Sequence, residues 1–211
     1  MTRQAGRCPN CSAPIEFRWS SAVQTTCAHC RSVVVRHDID LRAVGEVSDL
    51  PPDSSPIQVG TEGRVDRHAF EVVGRIVYEH DEGGWNEWHL VFGDGTSGWL
   101  SDAQAEYAVS RLATPARPLP READLRVGWH YRSQDLDLVV STMTRARYAG
   151  VEGELPFEYW GKEQVTFADL RSHDGRFGTI DYSEEPPLLF LGRFVEYDEL
   201  ALRQVKSFEG W

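Results

Sequence analysis

The chain of 211 residues is poor in lysine, in cysteine and in long apolar runs. Two lysines stand against 20 arginines, and there are four cysteines. The apolar segment PPLLFLGRFV is far shorter than the roughly 20 residues of a membrane-spanning helix, and it contains an arginine. The first residues lack the apolar core of a secretory signal peptide. We therefore expect a cytoplasmic protein without a transmembrane segment.

Negative charge dominates the composition but is unevenly distributed. The formal net charge is −11, whereas residues 1–45 carry a net charge of +3 and the remainder carries −14. An acidic surface repels the phosphate backbone of nucleic acids. The distribution therefore argues against nonspecific nucleic-acid binding outside the N-terminal segment.

All four cysteines lie within the first 30 residues, in two matched pairs. Cys8 and Cys11 form one C-x2-C pair, Cys27 and Cys30 form the other, and 15 residues separate the pairs. This is the spacing of a four-cysteine zinc ribbon, because two tight turns can direct four thiolates at one tetrahedral ion. The spacing predicts a structural Zn²⁺ site.

The alternatives to a zinc site are two disulfide bonds or four unrelated thiols. Disulfides are disfavoured in a protein without a secretory signal. Four thiolates complete a tetrahedral shell and leave no position for substrate, so the predicted zinc has a structural role. A segment of this size also needs metal binding to complete its folding free energy.

Segments rich in proline and serine divide the chain, because they favour extended connectors over helices. We predict the following organisation: a zinc ribbon at 1–45, a linker at 46–56, a first β-repeat at 57–112, a connector at 113–124, and a second β-repeat at 125–211 that ends in a short helix.

The two predicted repeats share short motifs. IQVG (57–60) corresponds to LRVG (125–128), and both repeats contain the pattern D-G-x-x-G-x-[LI], at 94–100 and 174–180. Aspartate–glycine turns between β-branched and aromatic runs are typical of β-hairpins. We predict a mainly β protein, in which the ribbon precedes two related antiparallel β-meander or half-barrel units. Chance use of a common hairpin turn is the alternative to an internal duplication.

No nucleophile motif, Walker loop or dinucleotide fingerprint occurs in the chain. Glu87 and His89 are two residues apart, so they share a face if the segment is a strand, and such a pair can act as acid and base. The alternative is the polar outer face of a half-buried hairpin, with Trp88 facing inward.

Three other residues are candidates for partner binding. Trp85 and Trp160 lie beside glycines in predicted loops, where binding residues are frequent. In Gly-Glu-Leu-Pro (153–156), the proline restricts the preceding residue to an extended conformation, which could orient Glu154 toward a ligand. The alternative for this motif is a turn that leads into a strand.

Several of these motifs together resemble the bacterial family known as domain of unknown function 4178. The resemblance rests on VVGR (72–75), W-x-E-W (85–88), GWL (98–100) and GELP (153–156), and extends over nearly the whole chain, including the CPNC ribbon. One departure is Asp66-Arg67-His68, where the family pattern leads us to expect a glycine in the turn. The resemblance implies no established activity and no catalytic residues. It implies an accessory role near membrane-remodelling proteins similar to phage shock protein A.

We therefore expect a non-catalytic adaptor with a structural zinc ribbon. Its partner would be a protein, in an envelope-stress or membrane-remodelling system at the periphery of the inner membrane. A regulator that binds nucleic acid through the basic ribbon is the first alternative. An enzyme that uses the region of Glu87 and His89 is the second.

Overall fold

The computed structural model describes residues 4–37, 40–46, 50, 54–133, 135–158 and 164–207. Within them the fold is mainly β, as predicted, with antiparallel strand pairing throughout the sheets. Part of the predicted linker, residues 47–49 and 51–53, lies outside the described residues.

The N-terminal ribbon contains five short strands in two sheets: β1 (Gln4–Arg7) and β2 (Pro14–Phe17) form a hairpin, and β3 (Gln24–Thr26), β4 (Ser32–His37) and β5 (Asp40–Glu46) form a three-stranded sheet. Ile15, Phe17, Ala22 and Val34 pack around the cysteines. Because this core is small, the ribbon depends on additional constraints at its cysteines.

The rest of the chain forms one sheet of ten strands. They are β6 (Glu62–Val65), β7 (His68–His80), β8 (Gly83–Phe92), β9 (Ser97–Ala103), β10 (Glu106–Ala113), β11 (His130–Ser133), β12 (Leu136–Gly153), β13 (Gln164–Arg171), β14 (Arg176–Asp181) and β15 (Leu188–Val195).

Eight of these strands close into a ring in the order β7-β8-β9-β10-β15-β14-β13-β12, which returns to β7. Closure is achieved by β12, which pairs with β13 along residues 139–147 and with β7 along residues 147–153. Strands from both predicted repeats therefore belong to a single closed sheet. A strand shorter than β12 could not reach both neighbours, so its length is what closes the ring.

Apolar side chains also cover the outside of the ring. One cluster, which includes Val72, Trp88 and Leu100, is covered by Ile57 and Leu200. A second cluster lies on the strands of the other half of the ring. Trp88 and Trp99 are both buried, as expected for core residues. A further apolar cluster, which includes Trp99 and Phe167, lies inside the ring, so the sheet has packed side chains on both faces. The outer layer includes Ile57 from the segment before the sheet and Leu200 from the segment after it.

The two halves of the ring begin with the same hydrogen-bonded turn. The N–H of Gly60 donates to the carbonyl of Val72 at 2.8 Å, and the N–H of Gly128 donates to the carbonyl of Val140 at 2.9 Å. Both glycines have positive φ, +96° and +86°, where a side chain would be strained. This matched geometry favours the interpretation of an internal duplication.

The short helix predicted near the C-terminus is present only as a single turn. The segment forms only a 3₁₀ turn at Tyr197–Leu200, because Ala201 adopts a left-handed conformation with φ of 45° and ends it. Leu200 is inserted into the outer apolar cluster, and the backbone of Arg203 pairs with Glu62 on β6. Tertiary packing and this strand-like pairing override the local helical pattern.

Candidate metal centre

The two cysteine pairs lie in turns with the same backbone geometry. In the first turn the N–H of Ser12 donates to the carbonyl of Cys8 at 2.8 Å, and in the second the N–H of Arg31 donates to the carbonyl of Cys27 at 2.9 Å. Ser12 and Arg31 both adopt positive φ, 63° and 61°. Each turn thereby directs its two thiols to the same side of the backbone.

The four sulfur atoms converge on one point. The Sγ atoms of Cys8 and Cys30 are 3.6 Å apart, those of Cys11 and Cys27 are 3.7 Å apart, and all four lie within 4.8 Å of one another. A disulfide bond would require about 2.05 Å. Four thiolates placed about 2.3 Å from a tetrahedral metal ion are separated by about 3.8 Å. The cysteines therefore fit a metal ion and not a pair of disulfides.

Polar groups next to Cys30 favour its thiolate form. At Cys11 a backbone hydrogen bond from Ala13 acts in the same direction, but burial and the neighbouring thiols raise the pKa to about 12. Asn10 donates an N–H from Nδ2 to Ser32 Oγ at 2.8 Å and approaches Cys30 Sγ at 3.7 Å. Hydrogen bonds from the side chain and backbone of Ser32 lower the pKa of Cys30 to about 6. A thiolate is the form that ligates a metal ion, so this neighbourhood suits a cysteine-ligated metal.

The ribbon is attached to the closed sheet by Glu154. The Glu154 carboxylate accepts hydrogen bonds from the backbone N–H groups of Arg18 at 2.6 Å and of Trp19 at 2.9 Å. Its side chain is only 3% exposed, and burial raises its pKa, although the two N–H donors act in the opposite direction. Glu154, a candidate for partner binding, thus has its carboxylate occupied by the chain's own ribbon.

Backbone pairing extends this attachment. The carbonyl of Leu155 accepts the N–H of Val23 at 2.9 Å, and the N–H of Leu155 donates to the carbonyl of Gln24, also at 2.9 Å. Leu155 is completely buried, in the apolar cluster that contains Val33 of β4 and Ile76 of β7. The Gly-Glu-Leu-Pro motif is therefore the segment that joins ribbon and sheet.

Trp19 contributes a third contact between the two parts. Its indole Nε1 donates to the carbonyl of Gly95 at 3.1 Å, and its ring meets the edge of the His89 imidazole at a centroid distance of 5.0 Å. His89 is completely buried, with Nδ1 2.9 Å from the carbonyl of Glu154. Nδ1 therefore carries the proton, and Nε2 has no hydrogen-bond partner among the described residues. Burial lowers the pKa of His89 to about 4, so the imidazole is neutral.

Glu87 and His89 lie on β8, but their side chains have different partners. The Glu87 carboxylate accepts hydrogen bonds from Ser101 Oγ at 2.9 Å and from Trp85 Nε1 at 3.0 Å. Burial raises the pKa of Glu87 to about 8. In the described part of the chain, no hydrogen bond links Glu87 to His89, and neither contacts a cysteine that could act as a nucleophile.

The tryptophan candidates have different outcomes. Trp85 is partly buried and stacks on Tyr78, with ring centroids 4.9 Å apart, so its indole forms part of a wall inside the sheet. Trp160 lies outside the described residues. Sequence reasoning did not single out Ser101 or Asp169, although both lie inside the sheet beside Glu87. Alternation along a strand indicates which residues share a face. It could identify Ser101 and Asp169 as neighbours of Glu87 only once the pairing of the strands is known.

Within the described ranges, no helix is long and apolar enough to cross a membrane.

Residues 58–197 match the model of a protein family described as Domain of unknown function (DUF4178). No curated protein and no solved structure gave a significant match to the chain. The matched range begins after the ribbon, so the match does not concern the four cysteines.

Proposed function

The chain belongs to the DUF4178 family, and from that premise we propose that it is a non-catalytic adaptor whose ribbon is folded by a structural Zn²⁺ ion. The ligands are Cys8, Cys11, Cys27 and Cys30. The zinc ion would cross-link the two ribbon sheets. The contact between the ribbon and the closed sheet is made by the protein itself, through Glu154 and Leu155. Four thiolates leave no open coordination position, which favours a structural ion over a catalytic one.

The observation that carries the proposal is the attachment of the ribbon through Glu154 and Leu155. Side-chain and backbone hydrogen bonds join the ribbon to the closed sheet. A metal ion that folds the ribbon would therefore also fix the surface that continues from the ribbon onto the sheet. On that surface β1 and β5 each pair on one side only in the described part of the ribbon. An open strand edge can accept a strand from a partner protein, so we propose the ribbon edges as the docking site.

The setting that we propose follows from the family resemblance. The partner is a protein of an envelope-stress or membrane-remodelling system in a bacterium, and the adaptor works in the cytoplasm at the periphery of the inner membrane. The sheet domain is strongly negative and is repelled by anionic lipid headgroups. At the membrane periphery it would therefore bind a protein and not the lipid surface.

Nucleic-acid binding is less well supported, because two basic side chains of the ribbon, those of Arg18 and Arg36, are engaged within the chain. Arg18 forms an ion pair with Glu71. Arg36 donates to the carbonyl of Ser20 at 2.6 Å, and its guanidinium lies 5.0 Å from the centre of the Phe17 ring. Binding a phosphate backbone would require these contacts to be exchanged.

Affinity capture from native lysate, followed by reconstitution with the purified partner, tests the proposal. Three baits are compared: the intact chain, Cys27→Ser/Cys30→Ser, and Glu154→Gln, which retains all four cysteines. We expect the intact chain to capture one protein that the double cysteine variant does not. Hydrogen exchange of the reconstituted complex should then show protection of residues 4–7 or 40–46.

Two results would contradict the proposal. Capture of nucleic acid without protein would replace it by the nucleic-acid regulator, and the binding should then weaken steeply with salt. A protein captured equally by all three baits, with protection confined to the closed sheet, would remove the ribbon as the docking site.

A further inference from the structure

The ring of strands encloses a cavity of about 190 Å³. All eight strands of the ring contribute to its lining, so the cavity lies in the interior of the closed sheet. A second chamber of about 50 Å³ adjoins it, because both are lined by Glu87, Ser101, Phe167 and Thr179. Pockets for drug-sized ligands measure roughly 300–1,000 Å³, so this interior suits a smaller molecule.

Besides Glu106, whose carboxylate pairs with Arg171, three carboxylates line this interior. Glu87 and Asp169 line the larger chamber, and Asp181 lines the smaller one together with Glu87. Each accepts hydrogen bonds only from neutral groups: Glu87 from Ser101 and Trp85, Asp169 from Thr179 at 2.9 Å, and Asp181 from the backbone N–H of Ser183 at 2.7 Å. Among the described residues, none of the three forms an ion pair with a cationic side chain.

Asp181 is buried, and Glu87 and Asp169 are half-buried. Unpaired carboxylates with so little access to water are energetically costly, and proteins retain them mainly at functional sites. Burial raises the pKa of all three carboxyl groups, to about 8 for Glu87. Asp169 and Asp181 add to the rise at Glu87 by charge repulsion. The nearby cation Arg171 is engaged in a two-point ion pair with Glu106, at 2.9 and 2.7 Å. Near neutral pH Glu87 therefore retains its proton, and a bound cation would take the place of that proton.

A buried hydroxyl supplies an independent sign of a ligand. Ser110 is 4% exposed and lines the smaller chamber. Its strand partner Trp99 lines the same chamber, and the neighbours Tyr107 and Val109 belong to the outer cluster, so the Ser110 side chain points inward. Within the part of the chain that the structure describes, no hydrogen bond to this hydroxyl is formed. A buried polar group is normally satisfied by a partner, which in this chamber would be water or a bound molecule.

Aromatic rings form the walls around these polar groups. Trp85 and Phe167 meet edge to face at a centroid distance of 5.7 Å, and Phe177 lines the same chamber. Aromatic faces attract cations, and carboxylates accept hydrogen bonds from N–H donors. A single divalent metal ion does not fit, because in the described ranges only the four cysteines converge closely enough to share one.

We propose that the interior of the closed sheet is a binding site for a small organic cation with N–H donors, an ammonium group on a short apolar chain. The cationic head lies between Glu87 and Asp169, and the apolar chain lies against Trp85 and Phe167. The ion pair of Arg171 and Glu106, whose side chains are exposed, marks the end of the larger chamber that is open to solvent.

Isothermal titration of the zinc-loaded full chain with n-butylammonium chloride tests this proposal. n-Butanol is the neutral probe of similar shape, and sodium chloride is the control for general ionic effects. We expect n-butylammonium to bind with a dissociation constant of about 1 mM or lower, and n-butanol to bind at least about tenfold more weakly. Binding should also release a proton from Glu87, so the affinity should rise from pH 6 to pH 8.5.

Matched variants locate the binding. Glu87→Gln and Asp169→Asn remove a charge with little change of shape, and each should weaken binding by about tenfold or more. Glu82→Gln removes an exposed charge outside the cavity and should have no effect. If Glu87→Gln does not fold, Asp169→Asn decides the question.

Three results would overturn the proposal. The first is the absence of binding by n-butylammonium at ten times the expected dissociation constant. The second is equal binding of n-butylammonium and n-butanol. The third is unchanged affinity in both Glu87→Gln and Asp169→Asn, which would assign the heat to general attraction by an acidic surface.

Discussion

The carboxylate of Glu154 lies 2.9 Å from the backbone nitrogen of Trp19, although 135 positions separate the two residues in the chain. This contact connects a ribbon organised by four cysteines to a sheet with its own core. The Gly-Glu-Leu-Pro motif, whose sequence is also typical of a turn that leads into a strand, therefore links the two parts of the molecule.

Glu154→Gln should destabilise the attachment of the ribbon. A glutamine offers one oxygen and one N–H₂ group, so one of the two backbone donors of Arg18 and Trp19 would face another donor. We expect a loss of about 1–3 kcal/mol in the free energy of unfolding, with faster hydrogen exchange at residues 14–26. Glu82→Gln, at an exposed position, is the control, and equal stabilities of the two variants would contradict the assigned role of Glu154.

Removal of the proposed zinc ion should unfold the ribbon and spare the closed sheet. The ribbon has a small core, whereas the sheet has apolar clusters on both faces. With a chelator present, all four thiols should react rapidly with a thiol reagent, and exchange should increase at residues 4–37 but not in β13–β15. Cys27→Ser/Cys30→Ser should behave as the chelated protein does. Thiols that remain protected under chelation would argue against a metal-dependent ribbon.

Glu87 should make the protein less stable as the pH rises. Its pKa in the folded state, about 8, is above the ordinary value of 4.5, so between these values the folded state retains a proton that the unfolded state has lost. The contribution is fully present below pH 4.5 and is lost as the pH rises through 8, at roughly 1.36 kcal/mol per pH unit. Urea denaturation at pH 5 to 8.5 gives the free energy of unfolding of wild type and of Glu87→Gln at each pH. The decrease of this free energy with pH that is due to Glu87 should be absent in the variant. Parallel slopes would contradict the prediction.

His89 should have the opposite effect in a lower pH range. Its pKa falls from 6.5 to about 4 on burial, so between these values the unfolded state binds a proton that the folded state excludes. Stability should therefore be lost as the pH falls from 6.5 toward 4. His89→Gln cannot titrate, and the difference between it and wild type isolates this contribution from that of the carboxyl groups. An unchanged difference across pH 4 to 6.5 would show that His89 is not buried in its neutral form.

Arg67→Gly should stabilise the β6–β7 hairpin. Asp66 and Arg67 both have positive φ, 47° and 71°, at the turn where the family pattern led us to expect a glycine. Glycine adopts this conformation without a steric penalty, so we expect a gain of about 1 kcal/mol in the free energy of unfolding. Asp66 is left in place because it pairs with Arg193 at 2.8 Å. Arg64→Gly, in strand β6, is the control and should be destabilising. A loss of stability in Arg67→Gly would indicate that the arginine side chain itself is needed.

Local pattern predicted much of the fold and part of the site. The hairpin at Asp94–Gly95 is where the turn signal indicated. The C-terminal helix is only one 3₁₀ turn, because Leu200 is held by the outer cluster and Ala201 is left-handed. The sequence suggested Glu87 as an acid–base partner of His89, whereas its hydrogen-bond partners are Trp85 on the same strand and Ser101 on β9, and no local signal identifies Ser101.

The amino-acid sequence by itself determined the elements whose cause is local. Cys8, Cys11, Cys27 and Cys30 meet because each pair lies in a tight turn, and glycine or aspartate–glycine turns set the hairpins. Only the tertiary structure decided that the two halves of the sheet form one ring, that Glu154 holds the ribbon and that three carboxylates share one interior. These features depend on pairing between strands that are distant in the sequence. The alternation of side chains shows which residues share a face of a strand, but it does not show which strand becomes the neighbour. The long strand β12, by pairing with both β7 and β13, brings these residues together.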